Sequence, residues 1–516
     1  MPPSQTHAPL SGIRAYDCPV TLDSRGNAIR PWPALWSLVL GFFMILVDTT
    51  IVSVANPTIM AGLETTMTLT LWATSAYLLA YAVPLLITGR LGDRFGPRRV
   101  YLIGLTVFTL ASLACGLAPS IELLIIARVF QGLGAALMTP QTMAVITRIF
   151  APRERGAAMA VWGITAGVAT LVGPILGGFL LDAAGWEWIF FINVPVGVIA
   201  FYLAMRNVPV LEKHQRRFDW LGVVLSAVGL FLVVFGVQEG ESFDWGQIWG
   251  PISVWGVIIA GVVVLAIFVW WQKVQKGEPL LPLELFHDRN FSIGSLAITT
   301  VGFAVTGMSL PLMFYYQLVR GLTPTQSALM LVPMAVLSAA LAKPVGSYID
   351  NHDPRRLAPI ALLLVAVGLG LYMLWLTPDA SIWLLLVPSA VLGLANAIMW
   401  GPLAAITTFS LKPQLAGAGS GVYNTTRQIG AVLGSAAMAV LMSSRLAAHL
   451  GAGAADSGTG AHVEALPEIA REGFARAMAE SMILPAVVIL VGAVVTLAFK
   501  PRPTKTGPVE VVTNAK

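Results

Sequence analysis

Asp48 lies in a run without any other charge, Pro33 to Ala55, long enough to cross a bilayer. A carboxylate at that depth costs several kcal/mol, about 3 on insertion scales. Such a group either takes up and releases protons or cations, or sits in a buried ion pair that fixes packing. Arg128 is its natural partner. If Asp48 lies some seven residues inside the outer end of its helix and Arg128 about six inside the same surface, a rise of 1.5 Å per residue puts both roughly 10 Å deep. A neighbouring guanidinium favours the ionised carboxylate, and desolvation favours the neutral one. Alternation between a wet, paired state and a drier, occluded one would therefore bind and release a proton, although Arg128 also reads as a structural strut. Arg427 is a further deep charge, with Tyr423, Asn424 and Gln428 beside it. It either lines a cavity or bonds backbone carbonyls. Lys343 is near enough to a helix end to snorkel and is assigned no chemistry.

Other chemistries find no support. Two cysteines, Cys18 and Cys115, and six scattered histidines give no metal-ligand spacing, so no metal is expected. No clustered nucleophile and base suggest an enzyme, and no Gly-x-x-x-x-Gly-Lys-Ser/Thr loop suggests an ATP-driven pump.

The elements that must position these charges are membrane helices. Of the 516 residues, 56% are hydrophobic and only 11% charged, and the mean hydropathy is +0.78. Soluble domains carry about a quarter charged residues, so the chain is an all-α polytopic membrane protein. A window of about 20 apolar residues finds fourteen spans: 33–55, 70–89, 99–118, 121–146, 156–181, 188–207, 219–238, 250–272, 291–316, 324–344, 357–376, 382–406, 417–443 and 477–499. Arginine and lysine cluster after even-numbered spans, as in Arg90, Arg94, Arg98 and Arg99 after span 2. The odd-numbered loops carry mostly acids, with Arg320 the exception. The positive-inside rule then puts both termini in the cytoplasm of a multi-pass inner-membrane protein. The net charge of +5 is topological and implies no nucleic acid. Residues 1–32 lack a signal-peptide core and read as a cytoplasmic tail. The outward loop 444–476 is expected to be the most mobile segment.

The chain repeats itself. Gly89-Arg-Leu-Gly-Asp93-Arg-Phe-Gly-Pro97-Arg98-Arg99 and Gly346-Ser-Tyr-Ile-Asp350-Asn-His-Asp-Pro354-Arg355-Arg356 share Gly, Asp, Pro and both Arg in register. They follow spans 2 and 10. Two parallel six-helix bundles would place the second copy after span 8, so a helix pair, spans 7 and 8, is inserted between them. The expected divisions are a bundle at 33–207, a linker with the two extra helices at 208–290, a second bundle at 291–499 and a tail at 500–516. Glycines in the first loop allow a tight turn, while Asp93 and its arginines can lock onto helix ends, an acid near a helix N-terminus being stabilised there. Such a lock, formed by Gly89, Asp93, Arg94, Arg98 and Arg99, would join the bundles when the outer side opens.

These motifs resemble the major facilitator superfamily, and within it the fourteen-span drug:proton antiporter branch, from about residue 34 to 499. The span-1 stretch Leu46 to Pro57 is similar to that branch's first-helix signature. The loop after span 2 matches the general pattern Gly-x-Leu-x-Asp-Arg-x-Gly-x-Arg-Arg, and Arg128-Val-Phe-Gln131-Gly132 matches Arg-x-x-Gln-Gly. The run from Gly167 to Gly178, with Gly173, Pro174 and Gly177, resembles the antiporter motif. Its glycines allow close helix approach and Pro174 allows bending. Ser420 to Gly430 is also familiar from the branch. Glu187, between Trp186 and Trp188, departs from the arginine common there.

The resemblance implies a major facilitator fold and proton-driven export of small lipophilic compounds, of multidrug-efflux type, by alternating access. It implies no cofactor beyond the proton gradient, and a monomer whose partners are substrate, protons and membrane lipids. Asp48 and Arg128 are the expected coupling pair. Asp48, Trp72, Tyr77, Gln131, Met308, Tyr423, Asn424 and Arg427 are the expected cavity residues. With Asp48 the only deep carboxylate, the cavity suits monocations, zwitterions or neutral cargo over dications. The alternative is a dedicated exporter of an endogenous lipid, siderophore or cell-envelope metabolite.

Overall fold

In hydrocarbon no water can satisfy backbone N–H and C=O groups, so each apolar run must close its own hydrogen bonds as a helix. The computed structural model describes residues 29–150, 154–211, 219–240, 243–275, 279–411, 416–451 and 468–501. In its first part, α1 (Pro31–Gly62), α2 (Met67–Ala82), α3 (Leu85–Phe95), α4 (Pro97–Gly116), α5 (Ile121–Ile149), α6 (Arg155–Ala184), α7 (Trp188–Phe191) and α8 (Asn193–Asn207) follow one another. Next come α9 (Trp220–Gln238), a hairpin of β1 (Gln247–Trp249) and β2 (Ile252–Ser253), and α10 (Val254–Val274). The second part holds α11 (Arg289–Phe314), α12 (Pro324–Leu329), α13 (Val332–Asn351), α14 (Leu357–Trp375), α15 (Ile382–Thr408), α16 (Ala416–Leu450), α17 (Glu468–Ser481) and α18 (Ile483–Thr496).

Each of the fourteen expected runs is helical. Among the described residues twelve helices are long and apolar enough to span a bilayer, and the bent pair α2–α3 makes up to thirteen. The α6 run is one helix from Arg155 to Ala184 and includes the apolar stretch Val172–Ala184. Span 2, expected to be continuous, bends by 51° around Pro84, whose ring removes a backbone donor. Beyond the bend, α3 continues to Phe95, so Gly89 lies within a helix and the turn falls on Gly96 alone. Its φ of +93° favours glycine. The loop expected at 444–476 is helical at both ends, to Leu450 and from Glu468, and 452–467 lie outside the described residues. The same holds for most of both tails.

In the first half α1 packs on α6 and α8, and α5 on α2 and α4. In the second, α11 packs on α16 and α18, and α15 on α13 and α14. The seam between halves is made by α2 with α16, α1 with α11, and α6 with α12. Ser75 and Ser435 hydroxyls meet across it at 2.8 Å. Gln317 donates to the Val54 carbonyl at 2.8 Å, and Thr325 N–H donates to Asp182 at 3.1 Å. These last two contacts lie at the end of the molecule opposite the arginine-rich loops. Towards those loops α13 packs on α15 but is only partly covered: no residue from Val332 to Ile349 is buried.

The inserted helices α9 and α10 pack on each other, and α9 touches α16. Asp219 caps α9 by accepting from Gly222 N–H at 2.9 Å. It also accepts from Trp271 (2.8 Å), Gln272 (2.7 Å) and Gln275 (3.1 Å). Burial raises its pKa, but these hydrogen bonds to the ionised form outweigh it and hold the carboxyl below its ordinary range.

Candidate proton and substrate site

Asp48, on α1, is fully buried and Arg128, on α5, is 1% exposed. The Arg128 Nη1 donates to Asp48 Oδ2 at 2.6 Å, so the equal depths counted from sequence correspond to a direct ion pair. Burying two charges is expensive, and the pair survives only if its remaining hydrogen-bonding capacity is filled. Here it is filled. Asp48 Oδ1 accepts from Gln131 Nε2 at 2.7 Å and from Asn193 Nδ2 at 3.0 Å. Arg128 also donates to Gln131 Oε1 at 2.7 Å and, through Nε, to the Ala73 carbonyl at 3.2 Å. Ser112 accepts from Gln131 (3.2 Å) and Asn193 (3.0 Å) and donates to the Phe190 carbonyl at 2.9 Å. The guanidinium carbon lies 3.9 Å from the Tyr77 ring centroid, a cation–π contact. One carboxylate thus ties α1 to α5 and α8, and the network takes in α4 through Ser112 and α2 through Arg128.

The sequence did not single out Asn193 and Ser112. The signal available was weak: an amide inside the apolar stretch Ile189 to Ala204, and a hydroxyl in α4.

The glycine face of α6 packs on the same part of α1. A Cβ at Gly177 would come within 2.5 Å of Ile51, and Gly173 abuts Thr50 and the Val47 carbonyl. Gly178 faces the other half, where a Cβ would lie 2.6 Å from Thr325 Cα. The residues from Gly173 to Gly178, which include Pro174, therefore link the helix of Asp48 to the seam. Gly167 lies on the same helix.

The expected cavity set divides. Asp48, Tyr77 and Gln131 are sealed inside the first half and line no open space in this structure. Trp72 points elsewhere: its indole N–H donates to Glu239 and its ring meets Phe235 of α9. Met308 and Tyr423 are each 8% exposed. Asn424 and Arg427 are half-buried on α16, in register with exposed Gly421 one turn before. With Asp48 neutralised by Arg128, the argument for cationic cargo loses its basis. Tyr77 and Tyr81 lie on successive turns of α2, tilted at 48° with centroids 6.0 Å apart. Tyr81 in turn is within electrostatic reach of Arg427. Arg128 thus lies over one ring of the pair, and Arg427 is in the neighbourhood of the other.

In the loop expected to lock the halves, Asp93 pairs with Arg148 at the end of α5, within the first half. Arg98 donates to the Met205 carbonyl of α8, also within that half. Arg90 donates to the Pro279 carbonyl in the segment leading to the second half. Arg94 lies over Phe95 and Arg99 is exposed. The described contacts of Asp93 are therefore an intra-half brace, and it is Arg90 that reaches the linker.

The profile of the Major Facilitator Superfamily matches residues 38–435. An uncharacterized transporter of that type from Mycobacterium tuberculosis is 51% identical over 472 residues, covering 91% of this chain and 81% of its own. The tetracenomycin C resistance and export protein of Streptomyces glaucescens is 33% identical over 447 residues, 86% of this chain and 79% of its own. Among solved structures, a bacterial homologue of the human lysosomal transporter Spinster superposes with a TM-score of 0.62 at 16% identity. It covers 90% of this chain and 96% of its own, a likeness of fold.

Proposed function

The chain belongs to the major facilitator superfamily, and from that membership we propose that it is a proton-coupled antiporter exporting small lipophilic compounds across the cytoplasmic membrane by alternating access. The observation that carries the proposal is the sealed Asp48–Arg128 pair, 2.6 Å apart and without solvent contact. Protonating Asp48 in place would leave Arg128 as an uncompensated buried charge, at a cost of about 3–5 kcal/mol. The proton enters only when the helices shift and give Arg128 water or another partner. That penalty ties proton uptake to a change of conformation.

Neutral Asp48 loosens its grip on Arg128, Gln131 and Asn193. The α1 helix, with the α6 glycine face packed on it, is then free to move against α11 and α12. Proton release towards the cytoplasm restores the pair and the arrangement described above.

The test is transport in proteoliposomes with an imposed pH gradient, using a lipophilic dye. Wild-type accumulation should collapse when an uncoupler dissipates the gradient. Asp48→Asn should equilibrate the dye without any gradient dependence. Full gradient-driven accumulation by Asp48→Asn would remove Asp48 from the coupling role.

A further inference from the structure

With Asp48 sealed, a second deep charge, Arg427, remains partly exposed. Arg427 lies eleven residues into α16 and is half-buried at the seam with α2. Unlike Arg128, it makes no ion pair or hydrogen bond with any described residue. Its neighbours within electrostatic reach are the hydroxyls of Tyr81 and Tyr423. Tyr81 is already bonded to Thr139 at 2.9 Å. Tyr423, one turn before Arg427 on the same helix, is 8% exposed, and its hydroxyl has no hydrogen-bond partner.

A buried phenol without a partner and a guanidinium without a counter-ion, both on one helix, form an incomplete site. An orphaned buried hydroxyl is destabilising, and a charge held at membrane depth more so. One ligand chemistry answers both deficits, an oxyanion. A carboxylate, sulfonate or phenolate accepts from the guanidinium and from a phenolic O–H together, and charge assistance makes those bonds the strong ones. A cation answers neither. Gly421, on the turn before Tyr423 and Asn424, is exposed, and a Cβ there would meet nothing within 4 Å.

We propose that Arg427 and the Tyr423 hydroxyl form the recognition site for an acidic group on the cargo, so that the exported compounds are lipophilic anions or weak acids. This rests on the reading of the protein as an exporter, but binding at fixed pH needs no gradient, so it can be tested apart from proton coupling.

Three probes of one shape separate the charges: 1-pyrenesulfonate, 1-pyrenemethanol and (1-pyrenylmethyl)trimethylammonium. Their fluorescence anisotropy is titrated with the purified full chain in a zwitterionic detergent. The sulfonate should bind at least tenfold more tightly than the alcohol, and the cation more weakly than either. Arg427→Gln should abolish the preference of the sulfonate over the alcohol. Arg427→Lys should keep part of the preference, and Tyr423→Phe should cost the sulfonate several-fold. Equal or tighter binding of the cation by wild type overturns the proposal. So does unaltered sulfonate affinity in Arg427→Gln. Thermal unfolding shows whether each variant is folded. If Arg427→Gln does not fold, Tyr423→Phe and Arg427→Lys decide the matter by the same ratio. Loss of gradient-driven transport with the anion preference intact would count against proton coupling alone.

Discussion

Replacing Asp48 by Asn and Arg128 by Gln, singly and together, separates what the buried pair does for stability from what it does for transport. Three donors, from Arg128, Gln131 and Asn193, converge on the two carboxylate oxygens of Asp48. An asparagine offers one oxygen, and its NH2 must then oppose at least one of those donors. Arg128 keeps Gln131 Oε1 and the Ala73 carbonyl but loses its counter-ion in a site 1% exposed. Breaking a buried pair from one side costs about 3–5 kcal/mol, some hundredfold or more in the folding equilibrium. Arg128→Gln strands the carboxylate instead and should cost a similar amount. The double variant has no net charge and an amide pair able to bond, so it should regain at least about 2 kcal/mol relative to the sum of the singles. Unfolding of the detergent-solubilised protein by added dodecyl sulfate gives the three differences. Proteoliposome transport, measured on the same preparations, should show no gradient dependence in the double variant despite its recovered stability. Additive singles would refute the pairing argument, and gradient-driven transport by the double variant would place the proton elsewhere.

Asp93→Asn removes an ion pair whose partners are 23% and 28% exposed, so stability should change by less than about 1 kcal/mol. Transport should fall strongly while probe binding stays, and parallel loss of both would make the loop part of the cargo site. Gly178→Leu would drive a side chain into the Thr325 backbone. Disulfide cross-linking between cysteines placed at 182 and 325 should drop several-fold together with transport, and an unchanged yield would refute the close approach. Asp219→Asn should destabilise the protein by about 1–2 kcal/mol at neutral pH, through weaker charge-assisted bonds. Because the folded carboxyl titrates below its ordinary range, that contribution is complete above the unfolded value and is lost as pH falls through the folded one. The stability gap between wild type and variant, followed by unfolding at stepped pH, should close only on acidification, and a gap independent of pH would contradict it.

Depth was legible in the sequence and direction was not. Counting residues from helix ends put Asp48 and Arg128 at one level, because rise per residue is fixed. Which side of a helix faces inward needs a polar stripe, and α1 and α2 are apolar nearly all round. Trp72, Tyr77 and Asp48 were therefore grouped as cavity residues, although Trp72 meets Glu239, 167 positions away, and the other two are sealed. The repeat of the arginine-rich loop was visible as identity in register. Its contact was not, since the partner Arg148 lies 55 residues on. Pro84 is a break, but the uniformly apolar run around it reads as one span. The lack of a partner for Arg427 among the described residues is a property of the assembled seam, and no local pattern encodes it.

The Tyr77–Tyr81 pair gives the two arginines a common neighbour while keeping their sites apart. A carrier in which proton and cargo contend for one carboxylate exchanges them by displacement. Here the proton site proposed at Asp48 is sealed in one half, and the cargo site proposed at Arg427 lies on the seam. Both can be filled at once, and any influence between them is a free energy of linkage. Such linkage is reciprocal: if protonation weakens cargo binding tenfold, about 1.4 kcal/mol, cargo must weaken proton binding by the same factor. If Asp48 and Arg427 hold proton and cargo as proposed, the efficiency of exchange depends on how firmly two tyrosine rings transmit a shift of one guanidinium to the surroundings of the other. A leaky variant can therefore arise on α2 with both binding sites intact.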